Sequence, residues 1–434
     1  MSANRDTAPM VKIAAYTLLN FVKHSFWSFF GLFGLVYLTD VVGLDPAFAG
    51  SILLASLVFD GLIDPLVGAA IDWLRSKLPD YGWILLGGVL ASAVSLALFF
   101  NTAALDLGIV WLLVLLLVFR LTFTVFDLSD NALASRITAS VEERTAMAAW
   151  RKAAAALASL ATGAAVGYIA SDAAEAAVRL PVFALILAVA SLLLAWLGYT
   201  ALKRLDQAGP PIKLVEAGEW LIALGGAQGA LVLAFLALIE TTATPVLVGG
   251  LIYFSRALTG DAHWAGTAIV ILTLAQLALL PLWAWAAVRL GKRATLALTH
   301  AATALACLAF AFLAATSAVW GWLLVGVVGA MVGGVSTLRW SLVPDLIDAA
   351  SRDGPRLETS LVGLVSGAVQ IGSGLAVAML GVLLGLAGYS AQAPADVDVS
   401  LLAGGIGLFV GSAHGICAVL SWLWARSVRA AEAA

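Results

Sequence analysis

Charge is what this sequence has least of. Asp, Glu, Lys and Arg make up 11% of its 434 residues, where an ordinary soluble domain carries about 25%. A soluble enzyme with a buried core is thereby excluded. Cysteine is nearly absent. Cys307 and Cys417 both lie in apolar runs, give no disulfide framework or metal spacing, and are expected as buried small hydrophobes. The four histidines have no metal-ligand spacing, and no glycine-rich loop ends in Lys-Ser/Thr. No enzymatic constellation, cofactor, metal or nucleic-acid partner is therefore expected, and an ATP-driven pump is disfavoured. Strand-like alternation is missing as well, because the apolar runs are too long. The N-terminus, MSANRDTAPM, lacks the compact apolar core and small-residue cleavage site of a signal peptide. The first apolar segment is expected to stay in the mature protein.

What is there is hydrophobic length, with 62% of residues hydrophobic. About twelve runs reach the roughly 20 residues needed to cross a bilayer. They cover 12–38, 45–73, 82–101, 108–135, 147–170 and 179–202, then 219–256, 264–287, 294–316, 319–347, 357–388 and 402–426. Alternate connections are basic, as at Arg75 and Lys77, at Lys203 and Arg204, and at Lys292 and Arg293. The others hold Asp40 and Asp45, Asp106, Asp172 or Asp396, with Arg179 and Arg256 as exceptions. The positive-inside rule puts both termini on the cytoplasmic side of a plasma (inner) membrane. Trp residues such as Trp73, Trp83, Trp264 and Trp422 lie near span ends, as an aromatic belt does.

The stretch LKRLDQAGPPIKLVEAGE, with two prolines and mixed charge, reads as a linker. The expected domains are 1–202, a cytoplasmic linker 203–218, and 219–434. The fold class is all-α and polytopic, two pseudo-symmetric six-helix bundles joined by the linker, a layout of secondary transporters. Small residues at three- and four-residue spacing, as in GVVGAMVGG, let such helices pack closely.

The scarce charges are concentrated in spans, where each costs about 2.5–3.5 kcal/mol at the helix centre. In FDGLIDPLVGAAIDWLRS, Asp60 and Asp64 stand one turn apart on one face, roughly 6 Å from each other. They repel, and titrate as a unit. A cation, a proton or a basic neighbour would relieve them. In VFRLTFTVFDLSDNAL, Arg120, Thr124, Asp127 and Asn131 form one stripe, with Asp130 beside it. The first span carries Asn20, Lys23 and His24. From the 1.5 Å rise per residue, Arg120 and His24 lie about 18–21 Å from the outer end, and Asp60 and Asp64 about 22–28 Å. These groups are expected to meet near the midplane, where transporter sites form. The bland alternative is a set of static ion pairs, Arg120 with Asp60 for example. Asp72 and Arg75 sit at the membrane edge and would gate the path or cap the helix. Arg339 would reach the surface or pair with Asp345, in a structural or gating role. Glu240, with Thr241 and Thr242, sits in the seventh span.

Beyond physics, YLTDVVGLDPAFAG, FDGLIDPLVGAAIDWLRS, TVFDLSDNAL and EERTAMAAWRKAAA resemble the glycoside–pentoside–hexuronide:cation symporters of the major facilitator superfamily. GKRATLALT, LVPDLIDAA and GLVSGAVQIGSGLAVAMLGVLLGLAGY are similar to that family's second half. The resemblance implies alternating access, a coupling-cation site on the second and fourth helices, and a sugar bound between bundles. It matches Asp60 and Asp64 to cation carboxylates, Thr124 to a cation-site hydroxyl, and Asp127 to a sugar-binding aspartate. Ile63 stands where a sodium site has Asn, and Arg120 where a small residue is usual. His24 stands in place of a sugar-binding Asp, Asn131 of an aromatic platform, and Gln370 of a Lys.

The expected function is symport of a sugar-like or glycoside solute, with proton coupling favoured over sodium. Asp60, Asp64, Thr124 and Arg120 would couple, and Lys23, His24, Asp127, Asn131 and Gln370 would bind solute. One alternative is an anionic solute such as a hexuronide, with Arg120 as fixed countercharge. A non-transporting membrane sensor is the alternative of another class, and the short tails speak against it. The partners expected are a small solute and the lipid bilayer.

Overall fold

The computed structural model describes residues 9–75, 82–137, 141–203, 228–350, 358–389 and 397–433. All of its regular structure is helical among these residues. The helices are α1 Pro9–Val36, α2 Pro46–Arg75, α3 Gly82–Phe99, α4 Ile109–Ile137, α5 Val141–Ile169 and α6 Ala173–Leu202. Then come α7 Gln228–Thr259, α8 His263–Ala278, α9 Leu280–Leu290, α10 Lys292–Leu313, α11 Ala318–Ala350, α12 Glu358–Leu386 and α13 Val399–Ala433. Eleven helices are long and apolar enough to span a membrane, and α8 with α9 makes a twelfth, bent by 43°. The bend was not expected from the apolar run 264–287. Its cause is local: Pro281, in the first turn of α9, has no N–H to carry the helical ladder across Leu279.

The chain divides into two compact units. The first holds residues 1–44, 55–165 and 173–212, and the second holds 45–54, 166–172 and 213–434. The short segments 45–54 and 166–172 therefore group with the second unit, although the expected boundary put everything before 203 in the first. The expected linker lies outside the described residues except for Lys203.

The first unit is built around aromatic rings from α1, α3 and α4. Phe29 meets Phe100 edge-on at 5.0 Å, Phe30 stacks on Phe119 at 5.1 Å, and Phe26 meets Phe126 edge-on at 6.4 Å. Such pairs fix ring orientation beyond what area burial alone gives. The core of the second unit is aliphatic: Leu233, Ala237, Leu338, Leu342, Val365 and Cys417 are all buried. Cys307 is buried too.

Helix α6 shows the pattern of a lipid-facing helix. Its small residues Ala184, Ala188, Ser191, Ala195 and Gly198 are buried, and Val182, Leu185, Ile186, Val189 and Leu193 are exposed. Large apolar side chains facing outward suit a lipid solvent, and small ones facing inward let backbones approach. Gly198 packs so closely on α1 that a Cβ would stand 2.9 Å from the Ala15 carbonyl oxygen.

The two arginines that broke the charge alternation both have polar partners in the fold. Arg179 is held by Glu175 one turn earlier, with Nη2 2.9 Å from Oε1. Arg256, at the end of α7, is 1% exposed. Its Nε donates to the Ala170 carbonyl at 3.1 Å, and Nη1 donates to the Tyr389 hydroxyl at 3.1 Å. Ala170 directly follows α5, so the guanidinium caps the carbonyl end of a helix dipole. All three residues belong to the second unit.

In the second unit, Gly329 of α11 touches the α8 backbone. A Cβ there would stand 2.3 Å from the Leu272 carbonyl oxygen, whereas one at Gly404 would meet nothing within 4 Å. Gly329→Ala should therefore cost about 1–3 kcal/mol through forced overpacking. Gly404→Ala should be neutral or raise stability by about 0.5 kcal/mol. Thermal unfolding of the two variants in the same detergent checks the contrast, and equal melting temperatures would refute the close approach of α11 to α8.

Candidate functional site

In the first unit, helical spacing delivers three groups of charge from α1, α2 and α4. Asp60 and Asp64 project from α2 toward Thr124 on α4. The Thr124 Oγ1 lies 2.7 Å from Asp60 Oδ1 and 3.2 Å from Asp64 Oδ1. Asp60 is 3% exposed and Thr124 is 4% exposed, so no bulk water relieves the pair. Asp64 is half-buried. A hydroxyl carries one proton. It satisfies one carboxylate and must accept from the other, or face it lone pair to lone pair.

Arg120 stands one turn before Thr124. Its Nε donates to Ser56 Oγ at 3.2 Å, and its guanidinium lies 4.7 Å from the Phe30 ring centroid. The static ion pair with Asp60 weighed from sequence is not the contact it makes. It remains an electrostatic neighbour of Asp60, with Ser56 on α2 fixing its head one turn away.

The third group centres on Lys23, which is 3% exposed. Its Nζ is 2.6 Å from Asp130 Oδ2, 2.9 Å from Asp127 Oδ1 and 3.5 Å from Asn131 Oδ1. Asn131 Nδ2 donates to Asp127 Oδ2 at 3.2 Å. Asp130 is wholly buried, and its Oδ1 has no hydrogen-bond partner. The Asp127 side chain is 35% exposed. His24 is half-buried beside Lys23, within the field of Asp127 and of Arg151 on α5.

The structure thus brings Asp60, Asp64, Thr124 and Arg120 together between α2 and α4, and Lys23, Asp127 and Asn131 together between α1 and α4. Asp130, which sequence reasoning left beside the stripe, is the tightest partner of Lys23. Its place on α4 gave no signal of that partner; only its cost as a buried carboxylate did. Gln370 is on α12 in the second unit, half-buried. The Asp72 and Arg75 side chains lie outside the described residues.

Arg339 and Asp345 do not pair. Asp345 is exposed and takes Lys292 Nζ at 2.8 and 2.7 Å. Lys292 also donates to the Ser341 carbonyl at 2.9 Å. Arg339 is buried and is bonded to Glu240 on α7. The reason is reach: Arg339 and Asp345 are six apart, which puts them on different faces of α11.

A helical bundle with carboxylates, a hydroxyl and cations sunk in its apolar interior defines a multi-pass membrane protein of the transporter class. The profile of the family described as "MFS/sugar transport protein" matches residues 15–425, and the chain belongs to that family. It is a family of transporters, not of enzymes. A putative glycoside/cation symporter of Escherichia coli (YagG) is 30% identical over 117 residues, 26% of this chain and 25% of that one. The sodium-dependent lysophosphatidylcholine symporter 1 of Gallus gallus is 31% identical over 126 residues, 28% of this chain and 23% of that one. The chain spans about a quarter of the length of these curated relatives. The crystal structure of the nucleoside transporter NupG superposes with a TM-score of 0.67 at 13% identity, over 95% of this chain and 98% of that one. The crystal structure of tetrameric PepTSo2 gives 0.65 at 13%, over 98% and 99%. At that identity these two share the fold.

Breaking one side of the Lys23–Asp130 pair leaves a buried charge behind, and that is where the cost lies. Lys23→Met alone strands the wholly buried Asp130 and should destabilise the protein by about 3 kcal/mol. Adding Asp130→Leu should recover most of it, because the Asp127 left behind is 35% exposed and still bonded to Asn131. A double-mutant cycle read by chemical denaturation measures this, and additive losses would show that the two groups are not coupled.

Proposed function

We propose that this protein moves a neutral sugar-like or glycoside solute across the plasma membrane by alternating access, coupled to protons at Asp60 and Asp64. The family, and the symporters to which the chain is similar, support transport of a small solute. The observation that carries the proton reading is the position of Thr124 within bonding distance of both carboxylates. With Thr124 donating to Asp60, the contact to Asp64 is attractive only if Asp64 carries a proton and donates to the threonine oxygen. Asp64 is then the loaded site and Asp60 its ionised partner. Arg120 keeps a positive charge close by while leaving both carboxylates to the hydroxyl. A sodium ion would need more oxygen ligands than these, and Ile63 offers none.

The neutral-solute reading rests on charge balance. Lys23 is engaged by two aspartates, so it brings no spare positive charge to an anionic ligand. Asp127, partly exposed and bonded to both Lys23 and Asn131, is the acceptor left for a solute hydroxyl. His24 stands beside it as a second polar contact. An anionic solute would have to displace Asp127 from Lys23, and for that reason we rank it second. The alternation of basic and acidic connections supports termini on the cytoplasmic side.

Proteoliposomes test the reading directly. Adding a neutral glycoside outside should alkalinise the external medium as solute and proton enter together. Asp64→Asn should abolish the proton signal while solute still equilibrates. Thr124→Val should slow proton-driven uptake by about ten- to a hundredfold, the effect of losing a hydrogen bond to a charged group. Sodium-driven uptake with no proton movement would overturn proton coupling. A response only to the hexuronide form of a sugar would overturn the neutral substrate.

A further inference from the structure

The second unit holds a buried polar chain that the transport reading does not use. Glu240 on α7, His300 on α10, Arg339 on α11 and His414 on α13 come from four helices, and each is less than 8% exposed. Arg339 is bonded to Glu240 Oε1. Glu240 Oε2 lies 3.6 Å from His300 Nε2. The two imidazoles meet through their Nδ1 atoms at 2.9 Å. Thr244 Oγ1, one turn past Glu240, lies 3.1 Å from His414 Nε2.

Hydrogen-bond logic assigns the protons. Between two Nδ1 atoms in contact, one donates and one accepts. His300 Nε2 has no hydrogen-bond partner, and the negative charge of Glu240 3.6 Å away favours a proton on it by electrostatics. His300 Nδ1 is then the acceptor, His414 Nδ1 carries the donated proton, and Thr244 donates to His414 Nε2. Every donor points the same way, from Thr244 toward Glu240. A proton added to His414 at Nε2 passes its Nδ1 proton to His300, which becomes an imidazolium facing Glu240. Only the proton crosses between the rings, and the Thr244 hydroxyl turns from donor to acceptor as His414 Nε2 is protonated; no heavy atom has to travel.

Glu240 has one negative charge and two suitors. Arg339 Nε has no hydrogen-bond partner, and the guanidinium otherwise lies 5.8 Å from the Trp340 ring. Two cations against one carboxylate in a buried site is a costly arrangement. No further carboxylate faces the cluster from α7, α10, α11 or α13 among the described residues. Of the other polar groups on these helices, the hydroxyls of Thr299 and Thr303 bond to carbonyls of their own helix, and the Cys417 thiol is directed to Leu236.

We propose that the His300–His414 pair is a proton-binding site, separate from Asp60 and Asp64, and that a proton there and Arg339 occupy Glu240 in turn. With Arg339 on Glu240, the pairing seen here, α11 is tied to α7, and the imidazoles in that state are assigned as neutral. When the proton arrives, Glu240 pairs with His300 and the tie to α11 is released. The site takes H⁺ only, since the Nδ1 atoms face each other too closely to admit a metal ion between them.

Nitrogen-15 histidine NMR of the full chain in lipid bilayers tests this. The chain has only four histidines, and His300→Asn and His414→Asn assign the pair. Wild type at about pH 7 should show one neutral ring protonated at Nδ1 and one at Nε2. Arg339→Gln should show an imidazolium at that pH. The signal should vanish on adding Glu240→Gln and persist with Asp64→Asn, which separates this site from the proposed coupling site. Arg339→Lys, with a point charge in place of the planar fork, should give the imidazolium at a lower pH than Arg339→Gln and serves if the latter does not fold. Neutral rings in both Arg339 variants down to about pH 5, or an imidazolium that survives Glu240→Gln, would overturn the proposal.

Discussion

The architecture depends on one constraint: an ammonium group enclosed in apolar protein must find its counter-charge within hydrogen-bond reach. Lys23 meets it with Asp130 and Asp127, both from α4. That requirement fixes the rotation of α4 against α1. Once α4 is so turned, the same stripe one and two turns back presents Thr124 and Arg120 to α2. The carboxylates of Asp60 and Asp64 then have a hydroxyl to meet. The aromatic packing of α1, α3 and α4 holds this arrangement without adding polar groups. Polar positions are set by charge pairing, and the rings supply the rigidity that keeps them set.

Much of this was legible in the sequence. Long apolar runs gave the helices, and the i, i+4 spacing of Asp60 with Asp64 and of Arg120 with Thr124 gave the shared faces. The depth estimate brought α1, α2 and α4 to one level. What spacing does not carry is the choice among partners. Arg120 was weighed as the mate of Asp60, and in the folded chain a serine and a phenylalanine ring take it. Lys23 and His24 looked like cavity charge, and Lys23 turns out to be engaged. Arg339 was set against Asp345 because they are near in sequence. The pairing with Glu240 spans about a hundred positions and is invisible without the fold. The same is true of His300 and His414, 114 residues apart. Each was a lone histidine in an apolar span, which is a signal of cost but not of partner.

The two units solve the same problem differently. In the first, carboxylates outnumber cations and one of them, Asp127, keeps contact with the surface. In the second, a single carboxylate is shared out by a chain of imidazoles and a guanidinium, all sealed. An exposed acceptor suits a ligand that comes and goes. A sealed chain suits something that can move through bonds, without a passage.

Arg256 sets a condition on assembly. Its partners include Ala170, made 86 residues earlier, and Tyr389, made 133 residues later. A chain still being synthesised can offer the guanidinium the first but not the second. The end of α7 therefore lacks this one hydrogen bond until Tyr389 has been made. A chain that stops short of Tyr389 cannot make that bond, so the polar packing around the end of α7 waits on a residue supplied late in synthesis.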